Sequence, residues 1–489
     1  MVVELESDTT KGRFFPRRFE PKNPRLTNGL WVAITVGLTF GTLFPIFFVR
    51  LADVETPVFY IYSMCMSGYL VFLYITTRSY KPIPDTGFRP YVSVVIPVKN
   101  EEEYIVDVVQ TVLESDYPSD KLEVIVVNDG STDSTWERLQ VFRYVPRVTL
   151  VNHERNFGKR VALATGFSKA KGDIMVCIDS DSFVEREAVK LLVQPFADLK
   201  VVATCGTGEA ANKDSFLAKL QHYWYADSFR LQKGMESRFG CVNCCSGILS
   251  AYRKQTVRRV INEWLNERFA GRHILIGDDR QLTSLVARGF KDDKPLPWDE
   301  KILARGKAED RILTAYALSA KDAKVVYQSN AICYTVVPAT WKQFFKQQLR
   351  WERAWIHGTL LAGKFMWRKS WPMNFIFYVY QLLTYASPLI TIYMVIVQPL
   401  QGHLIIGLVF LSGSLYIGFL RGLNTKELTG IKAEAVVYTF LFVFVSIFLS
   451  MSLLIYGWLT PWKGGWITRA DKSVMPRLEV PIVVGPISA

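Results

Sequence analysis

Acidic residues gather at the ends of segments that read as β-strands. In "DIMVCIDSDSFV" an apolar run leads to Asp179 and Asp181, one residue apart. A chain turning at a strand end can aim both carboxylates at one hard cation. Oxygen-only ligation suits Mg2+ or Mn2+, which bridge to phosphate oxygens. A lone D-x-D is weak evidence, but this one follows a strand too apolar to be exposed. Two other strand ends carry carboxylates as well: "IPVKNE" ends on Asn100 and Glu101, and "VVNDGSTD" places Asp129 before Gly130. Further on, "FFKQQLRW" sets Gln347, Arg350 and Trp351 at i, i+3 and i+4, which is one helical face. A guanidinium there can take phosphate oxygens in a fork. Asp-Arg occurs twice, in "IGDDRQLT" (Asp279) and "KAEDRILT" (Asp310), so a general base has two candidate positions.

The elements that must carry these residues alternate. "YVSVVIPV", "LEVIVVND", "DIMVCIDSD" and "KVVATCGTGE" are β-branched, apolar runs of strand length. Helix-like stretches such as "EEEYIVDVVQTVLES" and "RVALATGFSKAK" separate them. This pattern predicts an α/β domain over 89–338 with a doubly wound parallel sheet, whose ligands bind beyond the carboxyl ends of the strands.

The flanks are of another kind. Hydrophobic residues make up 49% of the 489 and aromatics 13%, although 21% are charged, a mixture that joins membrane segments to a charged globular part. Leu30–Val49 and Pro57–Thr77 carry no charge, and each can span about 30 Å of hydrocarbon. Lys/Arg-rich flanks put residues 1–28, and everything after the pair of spans in 29–78, on the cytosolic side. Residues 1–28 lack the pattern of a secretory signal. The stretch 339–368 alternates large aromatics with Lys342, Lys346, Arg350 and Arg353, as an amphipathic interface helix does. Two more spans are expected in 371–420. The apolar run 435–459 is expected to be interfacial or re-entrant, because the tail 460–489 is needed in the cytosol. The net charge of +13 arises from basic loops beside apolar segments. No Lys/Arg run interleaved with stacking aromatics marks a nucleic-acid partner. Cys241, Cys244 and Cys245 lack a second Cys/His pair at zinc spacing and read as reduced, packed thiols.

Taken in order, "VSVVIPVKNEE", "VVNDGSTD", "NFGKRVALATG", "CIDSDSFV", "GDDRQLT" and "QQLRW" resemble the membrane-bound processive glycosyltransferases of family 2, which include cellulose, chitin and hyaluronan synthases. The resemblance covers roughly residues 90–360 and is strongest to hyaluronan synthases, with Nod-factor chitooligosaccharide synthases a close second. It implies a cytosolic GT-A-type domain inserted between transmembrane helices in the plasma membrane. It also implies UDP-sugar donors, a growing polysaccharide and a divalent metal, Mg2+ or Mn2+. By the same resemblance Asn100, Glu101 and Asp129 serve the donor, Asp129 by accepting from uracil. Lys159 and Arg160 face the diphosphate or ribose, Asp179 and Asp181 hold the metal, and Gln347, Arg350 and Trp351 complete the donor side. Cys244, Ser246 and Gly247 line the acceptor sugar. "GGWITR" brings Trp466 and Arg469 over the nucleotide, although Ile467 stands where the relatives have glycine. The reaction expected is an inverting transfer to a polymer that the protein then exports. Hyaluronan is the first product, a polymer of N-acetylglucosamine from UDP-GlcNAc alone the alternative, and non-processive transfer to a lipid phosphate a third reading.

Each Asp-Arg copy keeps half of the family context. Asp279 follows the acceptor stretch, while Asp310 precedes the last strand, where relatives carry the base. The fuller match, Gly277-Asp278-Asp279-Arg280, makes Asp279 the expected base with Asp278 in support. Asp310 remains the alternative.

Overall fold

A computed structural model describes residues 57–274, 276–290, 319–429 and 434–463. Residues 1–28, the first expected span, Asp310, Trp466 and Arg469 lie outside the described residues.

The central element is an eight-stranded sheet in the order β3-β2-β1-β4-β7-β6-β10-β5. Its strands are β1 (Val92–Val98), β2 (Leu122–Asp129), β3 (Val148–His153), β4 (Ile174–Cys177), β5 (Ser182–Val184), β6 (Val201–Ala210), β7 (Ser250–Arg253) and β10 (Lys324–Thr335). The short hairpin β8 (Arg268–Phe269) and β9 (Arg272–His273) lies apart from it. Every residue of β1 and β2 is buried, as expected for Val/Ile-rich strands covered on both faces. Each such side chain contributes about 1.5–3 kcal/mol relative to exposure.

The sequence predicts a parallel sheet, and the structure corrects this to a mixed one. Strands β3, β2, β1 and β4 pair in parallel. Strand β7 then enters antiparallel between β4 and β6, and β5 pairs antiparallel with β10. The physical reason is that the stretch before β7, residues 243–249, crosses the strand ends and must return through the sheet in the opposite direction.

Helices pack around this sheet. α1 (Pro57–Arg78), α2 (Ile105–Leu113), α3 (Lys159–Lys169), α4 (Phe216–Asp227) and α5 (Asp278–Ala287) precede β10. α6 (Trp341–Gly363) follows it, its N-terminus capped by Thr340, whose Oγ1 accepts from Gln343 N. Three later helices are long and apolar enough to cross a membrane: α7 (Trp371–Leu400), α8 (Leu404–Thr429) and α9 (Glu434–Leu459). The last two pack on α4. Arg421 of α8 is ion-paired with buried Asp227. On α9, Glu434 accepts from Tyr223 Oη at 2.7 Å, and Phe442 stacks on Trp224 with ring centroids 4.6 Å apart. Just past the end of α9, Thr460 Oγ1 accepts from Arg353 of α6 at 2.7 Å.

Candidate active site

A cavity of about 1290 Å³ opens at the carboxyl end of β4 and continues between α1, α7, α8 and α9. Its wall brings together Glu101, Lys159, Asp179, Asp181, Cys244, Ser246, Gly247, Asp278, Asp279, Gln347, Arg350 and Trp351. These come from six separate parts of the sequence, joined because each lies at a strand end or on a helix facing that end.

Two loops lead into it. Asn100 sits at φ 53, in the left-handed region that Asn tolerates. Its N–H donates to Ser131 Oγ, and its Oδ1 accepts from Thr132 N at 2.8 Å. Glu101 N donates to Thr135 Oγ1 and Ser134 N to Glu102 Oε2, so the ends of β1 and β2 are stitched together. Asn100, Asp129 and Arg160, expected at the donor, are not in the cavity wall. Asp129 is fully buried, and its carboxylate accepts from Phe157 N at 3.0 Å, Gly158 N at 2.8 Å and His153 Nδ1 at 2.8 Å. It shapes the turn that starts α3. Arg160 points the other way along α3. It donates to Trp264 O, Gln281 Oε1 and, at 3.0 Å, Asp278 Oδ1, tying α3 to the N-terminus of α5. A buried guanidinium with this many partners is a clasp.

Lys159, the neighbour of Arg160, does face the cavity and is ion-paired with Asp179. Burial works against its charge, yet Asp179, Asp278 and Asp279 outweigh it and hold the ammonium above the usual lysine range. The stretch 243–249 presses on this pair. A Cβ on Gly247 would lie 3.0 Å from Asp179 Oδ1 and 3.2 Å from Lys159 Nζ, so any larger residue would push on both side chains. Asp181 reaches Thr335 Oγ1 of β10 at 3.4 Å. Asp179 and Asp181 are two carboxylates on one cavity wall. No cluster of three metal-ligating residues exists among the described residues. This donor set fits a Mg2+- or Mn2+-type ion that takes one or two carboxylates and completes its shell with phosphate oxygens and water.

Asp279 occupies the first turn of α5, where an acidic group is favoured by the helix dipole. Gly277 begins that turn at φ +71, and a Cβ there would meet Ala354 Cβ of α6 at 2.8 Å. Helix α5 is thereby set against the helix that carries Arg350 and Trp351. Asp279 Oδ1 accepts from Arg280 N at 2.8 Å, while Oδ2 accepts from Gly247 N at 3.3 Å and from the Cys244 thiol at 3.6 Å. Burial, helped by Asp279, pushes that thiol up to about 12, so it stays a neutral donor. Trp351 lies 5.7 Å from Trp224, which in turn stacks on Phe442.

The sequence pointed to neither Glu236 nor Glu352, both of which line the cavity. Glu236 is buried and accepts from Asn243 N and Nδ2. Glu352 directly follows Trp351, and burial pushes its carboxyl up to about 7 against the pull of Arg280. Buried polar atoms on this wall that have no hydrogen-bond partner include Asn243 Oδ1, Gln347 Oε1, Gln348 Nε2 and Glu352 Oε2. Buried groups of this kind normally find partners, so their grouping marks a place for a polar ligand.

Carboxylates at strand ends, a lysine ion-paired with one of them and an Asp-led helix thus stand along one long cavity. Residues 93–280 match the glycosyl transferase family 2 model, and the chain carries a domain of that family. A hyaluronan synthase of Streptococcus pyogenes is 28% identical over 313 residues, 62% of this chain and 66% of that protein. An N-acetylglucosaminyltransferase of Rhizobium meliloti is 30% identical over 285 residues, 57% of this chain and 58% of that protein. The matches thus span just under two thirds of the length of the streptococcal protein and less of the rhizobial one. Among solved structures, a mannosyltransferase of Pyrobaculum calidifontis in complex with GDP-Man and Mn2+ is similar at TM-score 0.48 and 18% identity, over 85% of this chain and 98% of that one.

Proposed function

We propose that the protein is a membrane-bound polysaccharide synthase that moves sugars from UDP donors to a growing chain and passes the chain through its own helices. The observation that carries this reading is the continuity of the cavity: one space joins Asp179, Asp181 and Asp279 to the interior of four apolar helices. A transferase acting once on a lipid phosphate has no use for such a space. The catalytic domain stands on the cytosolic side, where UDP-sugars are made.

The reaction is a single inverting displacement. Asp279 takes the proton of the acceptor hydroxyl, whose oxygen forms the new bond to the anomeric carbon while the bond to UDP breaks. Asp279 is held for this by Arg280 N, Gly247 N and the Cys244 thiol. General-base help of this kind contributes about 10²–10⁴-fold. Arg350 and Lys159 meet the charge that gathers on the diphosphate. Trp351 offers an apolar face to the acceptor sugar. Asp179 and Asp181 would hold the divalent ion, which when bound neutralises charge on the leaving diphosphate. The relatives suggest two products, hyaluronan from two donors and a polymer of N-acetylglucosamine from one. The contacts of Glu434 with Tyr223 and of Thr460 with Arg353 support a placement of 435–459 along the catalytic side of the membrane.

Membranes carrying the protein test the reading when incubated with labelled UDP-sugars, singly and in pairs, with Mg2+ or Mn2+. High-molecular-weight product together with UDP release is expected. UDP-sugar turnover with no product longer than one added sugar overturns processivity.

A further inference from the structure

The part of the cavity that lies beyond Asp279 has a chemistry of its own. Helices α1, α7, α8 and α9 contribute hydroxyls and amides to its wall, among them Ser63, Gln381, Thr384, Ser414, Thr439 and Ser446. Among the described residues these four helices place one charged side chain there, Arg421, and its charge is matched by buried Asp227. At the mouth of this region acids and cations stand side by side. Glu236 and Glu352 face Arg280 and Lys233, and Lys233 Nζ donates to Ser246 Oγ and lies 4.0 Å from the Phe229 ring centroid. Glu352 Oε2 is buried without a partner, and Thr439 Oγ1 further in is likewise unpartnered.

A chain bearing a carboxylate on every second sugar would bring several uncompensated charges into this space. Each unpaired charge in such surroundings costs several kcal/mol. A chain whose polar groups are hydroxyls and amides meets the reverse: donors for Glu352 and Thr439, and no charge to desolvate.

Resting on the reading above, we propose that this cavity is a conduit for an uncharged glycan. Glu352 is the residue at its mouth that accepts a hydroxyl or amide hydrogen from the growing chain just past the acceptor sugar. The product is accordingly a neutral homopolymer or a neutral copolymer, and glucuronate is not among its sugars.

The test uses membranes containing the full chain, supplied with UDP-N-acetylglucosamine, UDP-glucose and UDP-glucuronate, singly and in pairs. The product is passed over an anion exchanger and sized on a gel. Polymer formed from neutral donors alone and unretained by the exchanger is expected. Polymer that forms only when UDP-glucuronate is present, and is retained, overturns the inference while leaving the synthase reading intact. Absence of polymer from every donor set overturns both. Glu352→Ala is expected to shorten the product about tenfold, the worth of one buried hydrogen bond. Product length should fall more than the initial rate of UDP release, and Glu352→Gln, which keeps an acceptor oxygen, should restore most of the length. Full-length product from Glu352→Ala would remove the residue from the conduit.

Discussion

The two ends of the cavity satisfy their polar groups in opposite ways. At the strand end, charges are paired with one another: Lys159 with Asp179 on the wall and, just behind it, Arg160 with the wall residue Asp278. At the helix end, Gln347, Gln348, Asn243 and Glu352 keep buried polar atoms without partners. The first arrangement suits a ligand that brings its own strong charges, because a diphosphate with its cation can trade places with an existing ion pair. The second suits a neutral ligand rich in hydroxyls, which completes hydrogen bonds that the protein leaves open. On the proposed function, one cavity separates donor chemistry from polymer handling by how its polar atoms are partnered.

That contrast can be broken at several points. Asp181→Asn is expected to have the largest effect, a loss of about 10³-fold in UDP release with the fold retained, since several kcal/mol of leaving-group stabilisation go with the metal site. Chelation should abolish activity in the unmodified protein, and Mg2+ or Mn2+ should restore it. Near-normal turnover by Asp181→Asn would separate the D-x-D from the donor. Arg350→Ala is expected to cost about 10²-fold in kcat, with Arg350→Lys recovering only part, because a fork geometry is lost. Complete rescue by lysine would show that charge alone matters there.

Arg160→Met asks whether this arginine is a clasp or a ligand. Removing one partner of a buried ion pair typically costs about 3–5 kcal/mol, so thermal stability should fall steeply while KM for the donor in the folded fraction stays close to normal. A raised KM with unchanged stability would return Arg160 to the nucleotide. The smallest effect concerns Glu352. Its folded pKa, about 7, lies above the ordinary glutamate range, so the fold favours the protonated form. The stability it contributes is fully present at low pH and is lost as pH rises through about 7. Glu352→Gln does not titrate, so its melting temperature relative to the unmodified protein should climb between pH 5 and pH 8. A constant offset across that range would mean that burial does not govern this carboxyl.

Much of this was legible in the sequence. Strands such as "VSVVIPV" announce themselves because both faces are buried and every residue is apolar or small. The residues of the D-x-D, the Asp-Arg helix and the Gln-x-x-Arg-Trp face all reach one wall, since each motif is local and its spacing fixes its geometry. Asp129 and Arg160 were harder. Their spacing says nothing of whether a carboxylate is consumed by the next loop or a guanidinium turns toward a neighbouring helix. The antiparallel entry of β7 was hidden for a similar reason, because four residues of strand carry too little pattern to show direction. Glu352 was readable only as a charged residue beside Trp351. Its importance comes from burial, and burial depends on α7 and α9 arriving from far along the chain.

The central claim is that Asp279, held between the acceptor wall and α6, takes the acceptor proton. The most direct measurement compares Asp279→Asn with Asp310→Asn in the same membranes, by initial rate of polymer formation at saturating donor. A loss of about 10²–10⁴-fold for Asp279→Asn, with Asp310→Asn keeping most of its rate, is the expected result. An inactive Asp310→Asn beside an active Asp279→Asn would contradict it and move the base to the second Asp-Arg.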